Sequence, residues 1–320
     1  MNRSVIAATL ILGSLVAMPA SAQTCTATGF TKDGINMTAA RINPEGTVTG
    51  VVDAAGCNIG VYYDHTGLGG TVKAEVKNAN YFGVVVNGDA GSVAVDVIGS
   101  KIHDIGESPL NGTQHGVAIY YSALTLDGSA TGKVSGNDLS KYQKGGIVVK
   151  GTGANVIVSG NKVTGEGRVA YIAQNGIQFS NGASGSAMKN TVTAHAYIGS
   201  NNAASGGILV VGGACYGQPL TTGIQIAQNT LTNNDVGVYL SNLDTDCLAP
   251  ADQTNVKVVN NIISNDAFTN LFPYQAGVSD VGNNDKILNN TISGLGYEGL
   301  GVRIDADLSF TNRPKVHEKK

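Results

Sequence analysis

Between residues 145 and 192 the chain reads GGIVVKGTGANVIVSGNKVTGEGRVAYIAQNGIQFSNGASGSAMKNTV, and two short patterns alternate along it. Gly146-Ile147-Val148-Val149 and Gly176-Ile177-Gln178-Phe179 place apolar side chains behind a glycine. Asn161-Lys162-Val163 and Asn190-Thr191-Val192 place one behind an asparagine. Apolar residues with a period of two over four or five positions predict strands. Strands this short cannot bury their inward side chains alone, so each turn of chain needs the next one stacked on it. The glycines suit tight corners. The asparagines suit a left-handed turn, from which their side chains can also bond up the stack as a ladder.

Both registers run outward in each direction. The glycine pattern starts at Gly60-Val61-Tyr62-Tyr63, passes Gly116-Val117-Ala118-Ile119 and reaches Gly301-Val302-Arg303-Ile304. The asparagine pattern extends from Asn137-Asp138-Leu139 to Asn290-Thr291-Ile292. The reading is an all-β chain forming one solenoid of roughly nine or ten rungs over 46–305, about 45 Å long at ~4.8 Å per rung. Composition agrees: charged residues are 13%, glycines number 44, tryptophan is absent, and no linker or charge block divides the chain. Residues 23–45 are expected to cap the first rung, with a short helical turn over 36–42. Residues 306–320 read as a polar tail, without structure from Asn312 onward.

The glycine-apolar and asparagine-apolar alternation resembles the parallel β-helix repeats of the pectate-lyase-like superfamily. The resemblance implies a right-handed helix with three strands per rung, and a groove along a strand face between enlarged loops. That superfamily holds lyases, hydrolases, epimerases, accessory proteins and adhesins, so the fold does not select a function. Its sharper motifs (N-T-D, G-H-G, Q-D-T, D-P-H) are missing. Val61-Tyr62-Tyr63-Asp64-His65 is similar to the v-W-I-D-H stretch of pectate lyases, but lacks the Trp and any following R-x-P-x-x-R.

The N-terminus reads as a secretory signal: Arg3, an apolar stretch from Val5 to Val16, and Ala20-Ser21-Ala22 as the cleavage site. The expected mature chain starts at Gln23, in a secreted or periplasmic setting, and no stretch is long and apolar enough to span a membrane. Removing Arg3 takes the formal net charge from −3 to −4, which argues against nucleic acid as a partner. Cys25, Cys57, Cys215 and Cys247 are an even set for an oxidising compartment. Cys215 and Cys247 hold comparable places in successive rungs, which predicts Cys215–Cys247 and, by elimination, Cys25–Cys57 at the cap.

Spacing between the two registers reveals enlarged loops at 103–115, 164–174, 193–205 and 264–275. They carry His103, Asp104, Glu107, His115, Glu166, Arg168, Tyr171, Gln174, His195, Tyr197 and Tyr274. Further insertions fall at Leu124–Lys133, Cys215–Thr222 and Asp244–Gln253. Long loops on a rigid scaffold are where binding residues concentrate. Alternation predicts an outward column of Tyr120, Lys150 and Ser180 beside those loops, with Gln178 also outward. The expected partner is a polysaccharide or cell-surface glycan, bound and processed by a lyase, hydrolase or epimerase reaction. For uronate chemistry Arg168 would clamp the carboxylate, Lys150 or His195 would be the base, and Tyr171 would assist. Tyr120, Gln178, Tyr197 and His115 would bind substrate. Hydrolysis would instead need facing carboxyls, Asp104 with Glu107 or Glu166 with a neighbour. No cofactor is expected, with Asp244, Asp246 and Asp252 as a weak Ca²⁺ alternative to a polar loop. The competing reading is a non-catalytic adhesin, envelope scaffold or accessory protein.

Overall fold

The computed structural model describes residues 24–268, 275–297, 302–304 and 315–318. The chain winds as a parallel β-helix of three strand faces. The first face stacks Ile59–Asp64, Phe82–Asn87, Val117–Ser122, Gly145–Lys150, Asn175–Ser180, Gly206–Gly212, Val236–Asn242, Ala276–Asp280 and Val302–Ile304. These nine strands agree with the rung count from sequence. On the second face Val93–Ile98, Ala130–Ser135, Ala154–Ser159 and Ser184–Met188 follow one another in parallel register. On the third, Lys101–His103, Asp138–Leu139, Lys162–Val169 and Thr191–Tyr197 do the same. Gly70–Lys77 and Lys286–Ser293 serve both of these faces.

Inward residues from the three faces form one continuous apolar core, with Ile147, Val149, Val156, Val158 and Val163 fully buried in a single rung. Burial of one such side chain contributes roughly 1.5–3 kcal/mol.

The asparagines form the expected ladder, inside the corner between the second and third faces. Nδ2 of Asn137, Asn161, Asn190, Asn229 and Asn261 each donates to Oδ1 of the next asparagine, ending at Asn290, at 2.9–3.0 Å. The left-handed residue is not the asparagine but the one before it: Gly136, Gly160, Lys189, Gln228, Asn260 and Asn289. That residue turns the chain so that the following asparagine points inward, where only another amide can satisfy it.

The repeating glycines are likewise not corner residues. Gly60, Gly83, Gly146, Gly176, Gly207 and Gly237 lie in register within or at the first residues of the first-face strands. A Cβ on Gly176 would stand 2.4 Å from Val192 Cγ1 and 2.6 Å from the Gly207 carbonyl oxygen. The glycines are there because the third face presses against the first at this line. Ala118, not Gly116, takes the position in its rung.

Residues Ile35–Ile42 form a strand rather than a helical turn. Met37 and Ala39 are both fully buried, a period of two that suits the open edge of Ile59–Asp64. With Thr26–Lys32 this strand makes an antiparallel hairpin, held by the Cys25–Cys57 disulfide. The hairpin packs through Phe30 and Met37 on a second apolar cluster that includes Tyr62, Phe82, Val85, Tyr120 and Val148. The second disulfide joins Cys215 and Cys247, so both pairings agree with the sequence reading. The signal-like segment 1–22 lies outside the described residues. Lys315–Glu318, expected to lack structure, pairs in parallel with Lys286–Ser293.

Candidate functional site

The residues that sequence reading grouped as a uronate site do not converge. Tyr120 pairs with Val148, which pairs with Gln178 one rung on, whereas Lys150 pairs with Ser122 and Ser180. The expected single column is therefore two neighbouring ones, because Tyr120 and Lys150 stand two residues apart along the strand. Tyr120 is only 5% exposed, beneath the hairpin, and burial pushes its hydroxyl up to about 12. Gln178 Nε2 donates to Ser180 Oγ at 3.3 Å on the same strand. Burial lowers the Lys150 ammonium, and Lys32 adds repulsion.

Arg168 belongs to the third face and Lys150 to the first. Nη2 of Arg168 donates to the Phe268 carbonyl at 2.8 Å. Tyr171 is partly exposed in the next corner loop. His195 is fully buried, its Nδ1–H donating to Asn234 Oδ1 at 2.8 Å and its Nε2 accepting from Tyr142 Oη at 2.5 Å. Desolvation drives its pKa down to about 4, so it is a neutral interior histidine and not a base within reach of substrate. Tyr197 is buried too, its backbone N–H donating to Asp235. Tyr274 lies outside the described residues.

A different cluster does converge. The corner between the third and first faces opens into a cleft of about 940 Å³ over the N-terminal rungs. The floor comes from a repeated local pattern. After each third-face strand one residue turns left-handed: Asn78, Asp104 and Lys141, with φ of 62°, 54° and 50°. The residues after them, Ala79, Ile105 and Tyr142, are fully buried. Asn78, Asp104 and Lys141 therefore stand in the cleft in successive rungs.

The enlarged loop between His103 and Gly116 forms one wall. Buried Gln143 fixes it, accepting through Oε1 from the Glu107 and Asn111 N–H groups at 3.2 and 3.0 Å and donating through Nε2 to the Thr113 carbonyl at 2.8 Å. Glu107 contacts His115 Nε2 at 2.9 Å and accepts from Asn80 Nδ2 at 3.3 Å. His115 stacks on Tyr81, with ring centroids 3.9 Å apart.

The three cleft carboxyls differ in surroundings. Asp104 is hydrogen-bonded to His103 Nδ1, whose Nε2 contacts Glu75 at 2.9 Å, and lies 3.4 Å from Lys141 Nζ. Burial would raise its pKa, but these partners outweigh it and the net shift is downward. Glu107 is engaged by His115 and Asn80. Glu166 has no hydrogen-bond or ion-pair partner for its carboxyl among the described residues. Desolvation pushes its pKa up, Asp104 adds to the rise, and Lys141 partly offsets it.

Glu166 sits in a β-bulge, where the pairing of Lys162–Val169 with Thr191–Tyr197 slips between Thr164 and Gly167. Such bulges re-aim side chains. Its N–H donates to Oε1 of buried Gln174 at 2.8 Å, and Gln174 Nε2 donates to the Tyr142 carbonyl at 2.7 Å. Asn80 Oδ1, on the opposite wall, is a buried acceptor with no hydrogen-bond partner.

Sequence reading named Asp104, Glu107 and Glu166 but missed Asn78, Asn80, Tyr81 and Lys141. The signal available was the offset after each third-face strand: Val76-Lys77-Asn78, Ile102-His103-Asp104 and Leu139-Ser140-Lys141. Among the described residues no group of three or more His, Cys, Asp or Glu side chains forms a candidate metal site. Asp244 Oδ1 instead accepts the N–H groups of Asp246 and Leu248, closing a loop turn. Among the described residues no helix is long and apolar enough to cross a membrane. Comparison with protein-family models, curated proteins and solved structures finds no match to this chain.

Proposed function

We propose that the protein is an exported β-helix that binds a glycan chain in the corner cleft. The observation that carries this reading is the cleft itself. Its volume suits a few sugar rings, and amides and carboxyls supply hydrogen bonds. The apolar N-terminal segment and the two disulfides support export to an oxidising compartment. The repeat's likeness to the pectate-lyase-like superfamily supports a carbohydrate partner, at the level of analogy.

Binding without cleavage is favoured because Asp104 and Glu107 are already engaged, Asp104 by Lys141 and His103 and Glu107 by His115 and Asn80. A second reading, hydrolysis, is favoured by one observation. Glu166 and Asp104 share the cleft with pKa values moved in opposite directions, as an acid and an anion would be.

The test is calorimetric titration of the chain from Gln23 with neutral, cationic and acidic polysaccharides, followed by mass spectrometry of the products. Saturable binding of an intact glycan is expected, weakened by about 1–2 kcal/mol in the Asn78→Ala, Asn80→Ala double variant. Shorter hydrated chains would establish hydrolysis. No binding to any glycan, or binding indifferent to the double variant, would overturn the reading.

A further inference from the structure

We propose that Glu166 makes the cleft selective for cationic glycans, chains whose sugar rings carry free amines, over neutral and acidic ones. This rests on the cleft being a glycan site.

The charged group left free in the cleft is an acceptor. Glu107 is occupied by His115, and Asp104 by His103 and Lys141. Lys141, the lining residue with a cationic side chain, is itself committed to Asp104. What remains is the Glu166 carboxyl, exposed in the cleft and without a hydrogen-bond or ion-pair partner among the described residues. A ligand that satisfies it must bring N–H or O–H groups, and an ammonium also supplies the opposite charge.

Glu166 is held for this task. The bulge turns it out of the strand pairing, and the Gln174 to Tyr142 hydrogen bonds fix its backbone to the solenoid interior. Little backbone ordering is left to be done on binding. Burial and the neighbouring Asp104 both disfavour its ionised form, and a ligand cation would relieve both effects. A uronate carboxylate, by contrast, would meet three carboxyls and one committed lysine.

The experiment compares β-1,4-linked glucosamine tetrasaccharide with cellotetraose, which differ by an amine or a hydroxyl at each ring, and with tetragalacturonate. Titrations are run on the wild-type chain, Glu166→Gln and Glu166→Ala, at a pH where the amines are protonated. The expected result is roughly tenfold tighter binding of the amine tetramer than of cellotetraose. That preference should shrink with added salt and vanish in both variants, the amine tetramer losing more affinity than cellotetraose. Equal wild-type affinity for the two tetramers would overturn the selectivity and leave glycan binding standing. A preference surviving in both variants would overturn the assignment to Glu166. Failure of all three ligands to bind wild type would remove the glycan reading, and this inference with it.

Discussion

His195 illustrates how burial decides a residue's chemistry. The same imidazole that could serve as a base in a loop is here enclosed between Tyr142 and Asn234, where the charged form would lose its hydration. Its folded pKa of about 4 lies below the unfolded value of 6.5. Stability from the neutral form is therefore complete above pH 6.5 and lost as the pH falls toward 4. Chemical denaturation of the wild type and His195→Gln from pH 7 to 4 should show the gap between them narrow by up to about 3 kcal/mol. A gap independent of pH would mean that the histidine keeps its proton equilibrium unchanged on folding. Glu166 is the opposite case: it is only partly desolvated and its side chain remains exposed in the cleft, so its altered equilibrium is available to a ligand.

At the scale of elements, the asparagine ladder and the strands depend on each other. Each rung presents one inward amide, and each amide donates both to the rung above and to a backbone carbonyl, as Asn190 does to Asn229 and to Val158. Asn190→Ala would remove the acceptor shared by the Asn161 N–H and one Asn161 Nδ2 hydrogen, and the amide donor to the Val158 carbonyl, inside a buried corner. The expected cost is about 2–4 kcal/mol, read as a lower denaturation midpoint. A substitution at exposed Lys189 that tolerates its left-handed φ, such as Lys189→Asn, should cost almost nothing. The contrast locates the importance of this corner in the amide and not in the turn residue before it.

Over the whole molecule, the solenoid confines the effect of a change to neighbouring rungs. The Cys215–Cys247 disulfide ties two corner insertions across a separation of 32 residues. Loop-closure entropy puts its contribution at up to ~3–4 kcal/mol. Replacing both cysteines by serine should speed proteolysis within 213–222 and 243–253, with glycan binding unchanged because the cleft lies at the N-terminal rungs. Cleavage spreading evenly along the chain would show that the bond stabilises the solenoid globally. The cap behaves differently, since its hairpin covers apolar side chains of several rungs at once.

The stacked-strand architecture, the rung count, the asparagine ladder and both disulfides were legible in the sequence, because each is a periodic demand of the backbone repeated many times. Where the periodic signal misled, the cause was local geometry: the glycines answer a close approach of two faces, and the left-handed residue precedes each asparagine. The site followed a different logic. Arg168, Lys150 and His195 were prominent by residue type, yet a triangular cross-section sends neighbours in sequence to different faces or into the core. Asp104, Glu107, Glu166, Asn80 and Lys141 lie on four rungs, and only the winding of the chain brings their corners together. Which carboxyl is left without a partner depends on distances of a few ångströms between side chains far apart in sequence, and tertiary structure alone sets those distances.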